Sequence, residues 1–221
     1  MEKVPYMQKQ LIAKCRVRAI PSIVATQMLY TMVESPRPSR AEISDVANAV
    51  YDGADCLMLS EESAIGAYPV EVIKTMARIA DFNEEKGGLA QIELQANDAE
   101  EAIAAAAIDL CRARFDPVLK PQKIVVLTET GRTARLVSRY RSPLDIIAVT
   151  KRNHTAQLMT LVYGVFSCNG DLPENVGLSK QALIMLAGKK LIKKGESIIV
   201  ISGEQWGIPG KTNTVSIQTA P

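Results

Sequence analysis

The sequence has one histidine, His154, and four cysteines, Cys15, Cys56, Cys111 and Cys168, that are widely spaced and include no C-x-x-C pair. A single imidazole excludes a His-rich metal site, and a thiol–imidazole pair would need folding to bring a cysteine beside it. The cysteine spacing carries neither a disulfide framework nor a zinc pattern, so reduced structural thiols are expected. An excess of one charge is also lacking. The 26 basic side chains are nearly balanced by 24 acidic ones, which provides no field for nucleic acid or an anionic membrane surface. No apolar run approaches the roughly 18 residues of a membrane span, and residues 1–15 have no secretory h-region, so a cytoplasmic protein is expected. Aromatics are only 5% of the chain. Its apolar content is mostly Ala, Val, Ile and Leu, which suits helices packed on buried strands. Carboxylates, hydroxyls and phosphate-binding loops remain as the candidates for chemistry.

A chain of 221 residues accommodates one large domain or two smaller ones. Val4, Met7, Leu11, Ile12 and Cys15 fall at helical spacing across 3–18. PSIVATQ (21–27) reads as a short buried strand. After Pro36-Arg37-Pro38, which fixes the chain direction, SRAEISDVANAVYDG reads as a helix. Ser39 is its N-cap, Glu42 completes a capping box and Gly53 stops it. Arg37, Arg40 and Asp45 are expected to form structural ion pairs. ADCLMLS (54–60) is a second apolar strand, and YPVEVIKTMARIADFNEE a helix broken at Gly87-Gly88. Strands so continuously apolar belong to parallel sheets buried on both faces. Both end on polar residues, as strands do at the reactive rim of a (β/α)8 barrel.

GGLAQIELQAN (87–97) reads as a linker, and Asn97 or Asp98 as the cap of DAEEAIAAAAIDLCRAR. Strands are then expected at KIVVL, DIIAVT, VFSCNG, ESIIVISG and TNTVSIQ, with helices over RTARLVSRYR, KRNHTAQLMTLV and SKQALIMLAGKKLIKKG, the last stopped by Gly195. This alternation predicts a second, three-layer α/β domain. Its final strand follows a loop and so is expected to pair antiparallel. TETGRTA (128–134) is a strand end, a hydroxyl-rich turn and a helix start. Backbone N–H groups there, with Thr128, Thr130, Gly131, Arg132 and Thr133, could cradle a phosphate; alone, the string also fits an ordinary strand-to-helix turn. GEQWGIPGKTNT (203–214) would close over it, with Trp206 and Lys211 as contacts, or with Trp206 simply anchoring the loop.

The string ATQML, then PRPSRAEISDVANAVYDGADCLMLSEESAIGAYP, resembles the corresponding stretch of pyruvate kinases. EKVPYMQKQLIAKC is similar to the helix after that family's metal-binding loop, and TETGRTA with the closing TNT segment is similar to its regulatory domain. The resemblance covers essentially the whole chain. It implies the last two βα units of a TIM-type barrel over 1–88, a linker over 89–97, and a C-terminal α/β effector-binding domain with a mostly parallel sheet over 98–221. It also implies a parent reaction moving phosphate from phosphoenolpyruvate to ADP with Mg2+ and K+, in a homo-oligomer that is a tetramer in the parent family. The parent family's transition-state lysine and metal ligands lie outside the matched motifs, so this chain is expected to hold no metal and to be inactive alone. A freestanding module that binds a sugar-phosphate or nucleotide effector is the alternative, and a purely structural piece a further one.

Thr26, taken alone, reads as a strand-end threonine bonded to backbone. The resemblance places it beside phosphoenolpyruvate, in the proton relay to enolpyruvate, and gives Gln27, Ser60 and Glu62 the same rim. It also places the helix beginning at Ser39 near a subunit interface. Three positions depart from the family pattern: Glu61 stands where glycine is usual, Ser63 replaces the usual threonine, and CRVRAIPS lacks the glycine expected before the strand it leads into.

Overall fold

The structure, a computed structural model, describes residues 2–25, 27–90, 92–113, 120–172 and 177–221. The chain forms two compact units, Met1–Glu93 and Leu94–Pro221.

In the first unit, α1 (Val4–Val17) leads to β1 (Ile23–Val24), a 3-10 turn (Tyr30–Val33), α2 (Arg40–Asp52), β2 (Cys56–Leu57), the short α3 (Glu61–Ala64) and α4 (Pro69–Gly87). β1 and β2 pair in parallel, Ile23 opposite Cys56 and Val24 opposite Leu57. The strands are shorter than the apolar runs that encode them, because only these two positions on each find a ladder partner. Met28, Leu29, Met32, Val46, Ala49, Val72 and Met76 form the core, packed between the strand ends, α2 and α4.

The start of α2 is built as its sequence dictates. The Ser39 side chain accepts from the Glu42 amide, and the Ser39 amide donates to Glu42 Oε2 at 2.7 Å. Glu42 also accepts from the Thr31 amide at 2.7 Å and from its hydroxyl. One carboxylate thus fastens the 3-10 turn to the helix. At the other end Gly53 takes φ +85 with the Arg16 guanidinium against it, leaving no room for a Cβ. Arg37, Arg40 and Asp45 make no ion pair among the described residues, contrary to expectation. Arg40 and Asp45 are exposed, where water and side-chain entropy leave such pairs worth little.

The second unit holds α5 (Ala99–Arg112), β3 (Lys123–Leu127), α6 (Arg132–Ser138), β4 (Asp145–Thr150), α7 (Asn153–Met159), β5 (Val165–Asn169), α8 (Leu178–Gly188), β6 (Ser197–Gly203) and β7 (Thr212–Thr219). The sheet order is β5-β4-β3-β6-β7. Every neighbouring pair is parallel except β6–β7. β3, β4 and β6 are buried along almost their whole length, which is why they read as unbroken apolar runs. Asp98 caps α5, accepting from the Glu101 amide at 2.8 Å.

Three helices stop earlier than their sequence periodicity suggests. α8 ends at Gly188 rather than near Gly195: Lys190 takes φ +60, and the chain turns Ile192 into the core at 4% exposure. α6 ends at Ser138, before Arg141 at φ +54. α7 covers only Asn153–Met159.

Candidate functional sites

Each unit carries one candidate site. In the first, the C-terminal ends of β1 and β2 lie side by side. Thr26 falls outside the described residues. Gln27, next to it, is exposed and has φ +52. Ser60 is half-buried and precedes α3. Glu62 is 1% exposed, and its two carboxylate oxygens accept from backbone amides of different loops, Leu29 at 3.2 Å and Ser60 at 2.7 Å. The carboxylate therefore holds the two strand-end loops together. Two buried N–H groups that a rim turn would otherwise leave unpaired find their acceptor there. Glu61 stands in helical backbone at the start of α3 and is exposed, so the absence of glycine at that position costs no strain. Ala19 is different: it takes φ +53 at 9% exposure, a left-handed residue where glycine is usual. Among the described residues no group of three or more His, Cys, Asp or Glu side chains is placed to hold a metal ion.

In the second unit, the turn after β3 meets the loop between β6 and β7. The Gly131 amide donates to Thr128 Oγ1 at 3.0 Å and the Arg132 amide to Thr130 Oγ1 at 3.4 Å. Gly131 has φ +76, which favours glycine, and a Cβ there would lie 2.4 Å from Cε at the end of the Met159 side chain. Thr128, Thr130, Thr133, Trp206 and Lys211 line one cavity of about 30 Å³, room for a single water. Gly131 and Arg132 lie beside it rather than on its wall.

Arg132 is engaged elsewhere. It pairs with Glu100, with Asp98 at 2.7 Å and with Glu101 at 3.6 Å. Asp98 is held below its ordinary value first by the Glu101 backbone amide and then by Arg132. For Glu101, the Asn97 amide is the leading cause of the same downward shift. Thr133 Oγ1 donates to Glu100 and lies 3.1 Å from Thr212 Oγ1, tying α6 to the first residue of β7. Trp206 is 8% exposed, belongs to the core with Leu172 and Leu178, and donates from Nε1 to Asp171 at 3.3 Å. It is the anchor of its loop as well as a cavity wall.

Sequence reasoning missed two acids in this cavity, Glu100 and Glu129. Glu129 Oε1 pairs with Arg152, whereas its buried Oε2 has no hydrogen-bond partner among the described residues. Glu129 lies inside the TETGRTA string and was visible as a charge; only the fold turns it inward. Glu100 reads in sequence as a first-turn helix acid and nothing more.

The pyruvate kinase barrel-domain model matches residues 1–73 and the pyruvate kinase alpha/beta-domain model residues 101–218. A pyruvate kinase of Agrobacterium vitis is 41% identical over 99% of the chain and 46% of its own length. One of Dictyostelium discoideum is 40% identical over 99% of the chain and 44% of its own length. The crystal structure of a pyruvate kinase from Cryptosporidium parvum superposes with TM-score 0.82 at 33% identity, covering all of this chain and 44% of that one. The chain thus spans about half the length of the curated relatives it matches. The first unit is the end of a TIM-type barrel and the second an α/β C-terminal domain with a mostly parallel sheet; with both family models matched in order, the chain belongs to the pyruvate kinase family.

Proposed function

We propose that the chain works as the C-terminal part of a pyruvate kinase, which moves a phosphoryl group from phosphoenolpyruvate to ADP to give pyruvate and ATP. The observation that carries this reading is the pair of family models matched in order along one chain. Residues 1–88 contribute the last two βα units and part of the catalytic rim. Thr26 fixes the substrate and serves the proton relay to enolpyruvate. Gln27 and Ser60 shape the rim, and Glu62 keeps its two loops in register. Mg2+ and K+, held by residues elsewhere in the assembled enzyme, supply charge neutralisation for the transferred group.

Residues 98–221 act as the effector domain. Thr128, Thr130 and Thr133 offer hydroxyls and Lys211 a cation to a sugar phosphate or nucleotide. Gly131 lets the turn form, and Arg132, locked on its acids, braces the wall. The cavity is too small for such a ligand, so the 203–212 loop must lift and carry Trp206 with it. The second reading is a non-catalytic effector-binding module, supported by the three threonines and Lys211 that line one cavity. The assembled enzyme is a cytoplasmic homo-oligomer of the family's tetrameric kind.

One experiment tests both the incompleteness of this chain and its effector site. ATP formation from phosphoenolpyruvate and ADP, with Mg2+ and K+, is measured for the chain and for Thr26→Ala while glucose 6-phosphate or AMP is titrated against the emission of Trp206, the single tryptophan. No turnover above Thr26→Ala with a saturable emission change is expected. Turnover that Thr26→Ala abolishes overturns the incompleteness of this chain, and an unchanged emission overturns the effector site.

A further inference from the structure

We infer that, with its 203–212 loop closed, the second unit holds one hard metal cation of the Ca2+ class, stripped of its water, in the cavity between that loop and the turn after β3. The closed cavity's own donors point to it, independently of the effector reading, which concerns a phosphate ligand and a lifted loop.

The oxygen that carries the assignment is Glu129 Oε2. Glu129 is 6% exposed, its Oε1 pairs with Arg152, and Oε2 is buried with no hydrogen-bond partner among the described residues. A Cβ built on Gly207, which also lines the cavity, would lie 3.9 Å from Oε2, so this oxygen faces inward. A buried carboxylate oxygen with neither donor nor counter-ion is costly, and a partner for it is the ordinary solution.

The rest of the wall offers the same kind of donor. With Glu129, the cavity is lined by Glu100, Thr128, Thr130, Thr133 and Thr212, two carboxylates and four hydroxyls in all. The Thr128 and Thr130 hydroxyls each accept one backbone amide and keep a second lone pair. Thr133 Oγ1 donates to Glu100 and lies 3.1 Å from Thr212 Oγ1, near the spacing of adjacent ligands on an ion bound at about 2.3–2.6 Å. No histidine or cysteine lines the cavity, and an all-oxygen set selects hard cations over soft ones.

Size and charge narrow the class further. About 30 Å³ takes one water-sized occupant. A phosphate is too large and would meet both carboxylates. Mg2+ keeps several waters, for which there is no space, whereas Ca2+ takes six or more oxygens directly. Lys151 is the rival partner for Glu129. It is exposed, and its Nζ packs against Gly207 rather than bonding Oε2.

The test titrates the full chain with Tb3+, which takes the same oxygen ligands as Ca2+. Its luminescence is read under excitation selective for Trp206, the single tryptophan and part of the cavity wall. The expected result is one sensitised ion per chain, displaced by Ca2+ but not by equal Mg2+. Glu129→Gln should weaken binding by about tenfold or more, at least what a partner outside the ligand shell is worth. Thr130→Val, at an exposed position, should weaken it by roughly threefold and serves if Glu129→Gln does not fold by circular dichroism. Lys151→Met should leave binding unchanged or tighten it. No sensitised emission, as for a cavity that holds only water, overturns the inference. So does emission that Ca2+ fails to displace, or affinity unchanged by the folded Glu129 and Thr130 variants.

Discussion

Removing the Glu62 carboxylate tests whether one buried side chain holds the two strand-end loops of the first unit in register. In Glu62→Ala the amides of Leu29 and Ser60 lose their acceptor. A buried donor left unpaired costs about 1–3 kcal/mol. Leu29 is fully buried and Ser60 half-buried, so water can replace the carboxylate only at Ser60. Taking about 2 kcal/mol for Leu29 and about 1 for Ser60 gives a loss of about 3 kcal/mol. With a urea dependence of about 1.5 kcal/mol per molar, the midpoint falls by about 2 M. Urea unfolding followed by exchange of first-unit amides reads this directly, and the Leu29 amide should lose its protection even before global unfolding. A midpoint shift below about 0.3 M with Leu29 still protected would refute the assignment of Glu62 as the tie between the loops.

Two further outcomes are expected. Ala19→Gly should stabilise the first unit by about 0.5–1 kcal/mol, because it relieves a left-handed alanine at the cost of some unfolded-state entropy; thermal melts compare the two proteins. At Glu42, burial on its own would raise the pKa, but the hydrogen bonds from Thr31 and Ser39 outweigh it and hold the carboxyl below its ordinary value. A depressed folded-state pKa gives stability that is full above the unfolded value of about 4.3 and is lost as pH falls through the folded one. Glu42→Gln should therefore cost about 1 kcal/mol at pH 7, the scale of a helix cap, and the difference from the parent protein should shrink below about pH 4. A pH-independent difference contradicts the carboxylate's role.

Local rules made much of the fold legible. The capping box at Ser39 and Glu42, the glycine stop at Gly53, the Asp98 cap and the antiparallel last strand all follow from signals within a few residues of one another. Element ends were less legible where tertiary packing decides them. Lys190 and Arg141 adopt left-handed backbone with no glycine to announce it, because burying Ile192 and closing the turn after α6 outweigh a local penalty of about 1 kcal/mol. Two residues in the candidate sites show the same divide. Glu62 could be seen as an acid before a helix, but not as the acceptor for an amide 33 positions away. Arg132 could be seen as a cation in a hydroxyl-rich turn, yet Asp98 and Glu100 capture it, a pairing set by the packing of α5 on α6.

The reversal of β7 bears on how such a domain can diversify. Parallel β3 and β6 finish on the same side of the sheet, and the antiparallel strand starts there, so the hairpin connection at 203–212 is both the rim of the cavity and a surface loop. Its register with β6 is fixed by the ladder from Ser197↔Thr219 to Ser202↔Thr214, not by the loop's length. Insertions, deletions and substitutions there can therefore reshape the cavity wall while the sheet keeps its pairing.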